Sequence, residues 1–134
     1  MLIIGGSFTY TNAPLFDLIK ELFGLNRNYY DRFGHIVQGM VVSAIIYDLL
    51  SSWRIVEGKI QNFIILSTCL SLSALFEIFE MLMCKIFQDK QEIYLALQSD
   101  FWDTQNDMLM SIIGWLIWYY AIRNYHAKGS TWNN

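Results

Sequence analysis

Three long stretches of this chain, 36–47, 61–76 and 108–122, hold no charged side chain, and no proline falls within any of them. A helix rises ~1.5 Å per residue, so 31–50 would extend ~30 Å, the thickness of a bilayer's hydrocarbon core. Inside lipid every backbone N–H and C=O has to bond within its own segment, which a proline-free helix achieves. The sequence therefore predicts membrane-crossing helices over ~31–50, ~60–87 and ~105–124. Composition agrees: 54% of the residues are hydrophobic and 16% charged, more apolar than a soluble domain usually is. Near the far end of the third stretch, Trp115, Trp118, Tyr119 and Tyr120 suit an aromatic belt at the membrane interface.

Ahead of the first stretch, Leu15, Leu18, Ile19, Leu22 and Phe23 recur at helical spacing while Asp17, Lys20 and Glu21 fall on the opposite face. Asn12 and Pro14 suit the start of such a helix and Gly24 its end. This pattern predicts an amphipathic helix over ~14–24, and its apolar neighbours place it on the membrane surface. The expected fold is all-α: an integral membrane helical bundle with three transmembrane helices and one N-terminal interfacial helix, forming a single domain over 1–134. Residues 1–6 lack the basic start and cleavage site of a signal peptide and read as the end of a preceding helix.

A net charge of −3 with no block of Lys or Arg excludes an electrostatic footprint for nucleic acid. The expected partner is the lipid bilayer. Lys and Arg are nearly balanced between the two sides; the shortest loop, with Arg54 and Lys59, is expected on the inner side. Cys69 and Cys84 lie ~22 Å apart along one predicted helix, too far to bridge, and read as thiols packed among apolar side chains.

Successive spans run antiparallel, so the start of the first, the end of the second and the start of the third share one membrane face. Those ends carry Asp31, Arg32, His35 and Gln38; Glu77 and Glu80; and Asp100, Asp103, Gln105 and Asp107. Helical phase sharpens the convergence. Asp31, His35 and Gln38 fall on one stripe, Glu77 and Glu80 on another, and Asp103 and Asp107 on a third. Gly39 and Ser43 continue the first stripe, Ser73 and Ala74 precede Glu77, and Gly114 lies beyond Asp107. Small residues at these points would let the helices approach closely.

Charges near helix ends often do no more than anchor the helix in interfacial water, an adequate reading of Asp31, Arg32 and Asp100. Glu77 and Glu80 resist it, because Met81, Leu82 and Met83 continue the apolar run beyond them, and an ionisable group inside a span points to function. His35 has Asp31 one turn away as an orienting partner. The candidate catalytic set is Asp31, His35, Glu77, Glu80, Asp103 and Asp107, with Arg32, Gln38, Asp100 and Gln105 as supporting polar groups. Such a cluster has three uses: to bind a divalent metal through His35, Glu77, Asp103 and Asp107, to pair a general acid with a general base, or to relay protons or cations. Spacing does not choose among them. The sequence has no HExxH, no GxSxG and no Gly-rich phosphate loop.

The run Asn28-Tyr29-Tyr30-Asp31-Arg32-Phe33-Gly34-His35 with Gln38-Gly39, then Phe76-Glu77-Ile78-Phe79-Glu80, then Asp100-Phe101-Trp102-Asp103-Thr104-Gln105-Asn106-Asp107-Met108 resembles the YjdF family of bacterial inner-membrane proteins. The likeness runs from Gly5 to Tyr120, and three motifs in order make it specific. It implies a multi-pass protein of the bacterial cytoplasmic (inner) membrane, of unassigned molecular function, and its characteristic positions fall on the ten residues of the polar cluster. It also implies two further spans ahead of Gly5. Ser7 stands where the family carries a histidine, and Leu97 and Ser99 stand where Thr-Gln-Gly is usual. A looser similarity to VanZ-type membrane proteins implies a lipid or envelope substrate. Three spans are few to shield a polar site, so self-association or partner membrane helices are expected.

Overall fold

The computed structural model describes residues 21–22, 29–54, 56–86 and 101–125, and every regular element among them is helical. Helix α1 runs Tyr30–Trp53, α2 runs Gly58–Ile86, and α3 runs Asp103–Ile117 before passing into a π-helical segment, Trp118–Ile122. The expected interfacial helix lies almost wholly outside the described residues, as do Asp100 and the side chain of Cys84.

Local signals account for the helix ends. Arg54 closes α1 in the left-handed region at φ 49°, and its N–H bonds back to the carbonyls of Leu50 and Ser51. Two residues separate Val56 from Lys59, and Gly58, at φ +70°, takes the turn between the helices, a conformation that glycine reaches without a Cβ penalty. Both α1 and Gly58–Met83 of α2 are long and apolar enough to cross a membrane. A core helix of a soluble protein would hide most of that apolar length, whereas here most of it faces outward: Val41, Ile45, Phe63 and Leu75 are all at least half exposed.

The interior runs the other way. One stripe of α1 buries Asp31, His35, Gly39 and Ser43; α2 buries Gln61, Ile65, Cys69, Ser73 and Glu80; α3 buries Asp107, Ser111 and Gly114. Small and polar residues face inward and large apolar ones outward, the pattern by which helices associate in lipid. The closest approach is between α1 and α3. A Cβ on Gly39 would collide with the backbone carbonyl of Ser111, and one on Gly114 with the carbonyl of Ile36. Hydroxyls and a thiol fill the adjacent layer: Ser43 Oγ donates to the Gly39 carbonyl at 2.6 Å and lies 3.4 Å from Cys69 Sγ. Below this layer sits the apolar core of Leu50, Ile65, Cys69 and Trp118. Trp118 departs from the expected aromatic belt: it is buried in that core, 5.4 Å from the Tyr47 ring, while Tyr120 is exposed.

Candidate functional site

At the end where α1 begins, α2 ends and α3 begins, the three polar stripes meet. Asp31 and His35 come from α1, Glu77 from α2 and Asp107 from α3. Each offers one ligand atom, and these four atoms all lie within 4.8 Å of one another. Three of the groups are almost completely hidden, Asp31 at 4% exposed, His35 at 2% and Asp107 at 1%, and Glu77 is slightly more open.

The imidazole of His35 is the hub. Its Nε2 lies 3.1 Å from Glu77 Oε1 and 3.9 Å from Asp31 Oδ1. Only 3.1 Å separates Nε2 from Glu77 Oε1, and neither atom has a hydrogen-bond partner among the described residues. The opposite ring nitrogen, Nδ1, is held 2.9 Å from Ser73 Oγ, and the Phe76 ring packs edge-on against the imidazole at 5.6 Å. Asp107 Oδ1 is also without a hydrogen bond; its nearest cationic atom is Arg32 Nε at 4.0 Å. Arg32 stands 3.7 Å from Asp103 Oδ1 as well, so one guanidinium faces both α3 carboxylates while lying over the Tyr29 ring.

The other residues singled out in the sequence take distinct places. Asp103 is half-buried at the rim, beside Arg32. Glu80 is buried, and its charge interacts with Asp31, Glu77, Asp103 and Asp107, but it offers no atom to the four-donor group. Gln38 is half-buried further along α1. Gln105 is exposed and lines a separate apolar groove of about 440 Å³ with Leu70, Trp102, Met108 and Leu109. One participant escaped sequence reasoning, Ser73. In the sequence Ser73 stands out only as a small residue, and its position four residues before Glu77, on the same stripe, is the signal of a site partner.

The family model described as a predicted membrane protein, DUF2238, matches residues 1–128. The chain belongs to this family. It is similar to the inner membrane protein YjdF of Escherichia coli (strain K12), with 31% identity over 129 residues, 96% of this chain and 62% of that protein. The chain therefore spans about 62% of the length of the curated relative it matches. No solved structure matches. Within this DUF2238 member, the acidic and histidine cluster is the densest gathering of ionisable side chains among the described residues.

Proposed function

We propose that this DUF2238 protein is a multi-pass membrane enzyme with three spans and an interfacial N-terminal helix. Its centre is a divalent metal ion held by Asp31, His35, Glu77 and Asp107. The observation that carries this reading is the convergence of four buried donor atoms from three helices within 4.8 Å. Carboxylate oxygens brought together in a low-dielectric interior repel one another, and a divalent cation between them turns repulsion into attraction. Tetrahedral ligands ~2.0–2.1 Å from a zinc ion stand ~3.4 Å from one another, so closure onto zinc draws the four atoms, which lie within 4.8 Å of one another, together by up to about 1.4 Å. One imidazole and three carboxylates suit zinc, manganese or iron.

Ser73 supports the assignment of His35. With Nδ1–H donating to Ser73 Oγ, the lone pair sits on Nε2, the atom that faces the carboxylates. A metal there would polarise a substrate oxygen or activate a water. Glu80, buried next to the donors but outside them, is then placed to accept or return a proton. The apolar groove beside Trp102 favours a lipid or envelope substrate, since an acyl chain could lie along Leu70, Met108 and Leu109.

A through-membrane proton or cation path is the less favoured reading. Beyond the site the bundle closes at the Gly39–Gly114 crossing and at the apolar layer of Leu50, Ile65 and Trp118. Elemental analysis of the detergent-purified protein tests the proposal. The wild type should carry about one equivalent of zinc, manganese or iron, and a helical His35→Ala/Glu77→Ala variant should carry none. Background metal in the wild type would sink the metal centre and leave the cluster as a structural seam.

A further inference from the structure

At the opposite end of the bundle, the end of α1, the start of α2 and the π-helical segment enclose a second cavity of about 330 Å³, at the lower limit of small-molecule sites. Its lining is polar and carries two guanidinium groups, Arg54 and Arg123, against one carboxylate, Glu57. Among the described residues neither guanidinium has a carboxylate within ion-pair distance. Arg123 instead lies over the rings of Tyr47 at 5.6 Å and Tyr119 at 5.2 Å, cation–π contacts that hold the guanidinium at the cavity without neutralising its charge. The floor is also fixed: Gln61, only 4% exposed, donates from Nε2 to Ser51 Oγ at 3.0 Å.

Two further features favour an anion. The first-turn N–H groups of α2 have no partner within their own helix, and the space around Gly58 is open, so a ligand can approach the backbone there. Trp53, next to Arg54 in the chain, and Tyr120, three residues before Arg123, are both exposed, and these are residue types that gather at the headgroup plane of a bilayer.

We infer that this cavity binds a phosphate group between Arg54 and Arg123, on the membrane face opposite the acidic cluster. Arginine's fork of donors fits phosphate oxygens in pairs, and α2's amide groups complete the cradle. The source is either a phospholipid headgroup or free phosphate. The inference does not depend on the metal centre.

Native mass spectrometry of the full chain in neutral detergent tests it with three probes: dioctanoyl phosphatidic acid, dioctanoylglycerol and inorganic phosphate. Phosphatidic acid should bind the wild type about tenfold or more tightly than it binds Arg54→Gln/Arg123→Gln, and dioctanoylglycerol should not distinguish the two proteins. Competition by inorganic phosphate at comparable affinity would identify free phosphate as the source; phosphatidic acid binding that phosphate does not displace would identify the lipid headgroup. Equal phosphatidic acid binding to wild type and variant overturns the inference. If the double variant does not fold, Arg54→Gln alone decides, because Arg54 is exposed at a helix end and its loss leaves the packed interior intact. Unchanged phosphatidic acid binding in that variant overturns the site.

Discussion

Ser73 Oγ lies 2.9 Å from Nδ1 of His35, joining α2 to α1 through two buried side chains, while the other nitrogen of the same ring turns toward Glu77. This contact fixes both the tilt of the imidazole and which nitrogen faces the carboxylates. Ser73→Ala should therefore leave the bundle folded but weaken divalent metal binding by roughly 10-fold to 100-fold, the usual cost of losing a partner that orients a ligand. Metal titration beside a circular dichroism spectrum checks it. Unaltered affinity would mean that the serine has no hold on the ligand.

The two α3 carboxylates should behave differently. Asp107 offers an oxygen to the four-donor group, whereas Asp103 sits at the rim against Arg32. Asp107→Asn should lower metal affinity by on the order of 100-fold, and Asp103→Asn by no more than about 10-fold. The reverse order would exchange their roles.

Gly39 and Gly114 leave no room for a side chain between α1 and α3. Gly39→Leu or Gly114→Val should destabilise the bundle by about 1–3 kcal/mol or more, since the obstruction is backbone and cannot swing aside. Val41→Leu, on the exposed face, should be near neutral. Thermal unfolding in detergent separates the two classes; equal midpoints would show that the crossing tolerates a wider spacing.

Metal binding should weaken steadily from about pH 8 to about pH 5, because each ligand must shed its proton to coordinate and protons compete with the ion. Repeating the metal titration across that range gives the slope. A pH-independent affinity would exclude His35 and the carboxylates as ligands.

Much of this was legible from α1 and α2. Their uncharged runs predicted 31–50 and 60–87, and the helices run Tyr30–Trp53 and Gly58–Ile86. The meeting of Asp31, His35, Glu77 and Asp107 followed from connectivity and helical phase: antiparallel helices bring alternate ends together, and the i, i+4 spacings put these side chains on polar stripes. Helical phase also bears on Gln105, while depth lay beyond reach. Gln105 is two residues from Asp107, about 200° around the helix, and so faces the apolar groove instead of the cluster. Asp31, and not Asp103, joins the donors: Asp31 is buried, whereas Asp103 stays half-buried at the rim beside Arg32. Trp118 has the composition of a belt residue, and only the packing of Tyr47 against it shows that it belongs to the interior.

The inside-out arrangement of this chain sets an order of events. With Val41, Phe63 and Leu75 turned outward and Ser43, Ser73 and Ser111 turned in, single helices have reason to enter lipid but little to hold one another there until their polar stripes align. Two donors come from α1 and one each from α2 and α3, so no helix carries the cluster by itself. The site is a product of assembly, the last thing the bundle makes, and a protein whose helices had inserted without docking would be complete in sequence and blank in chemistry.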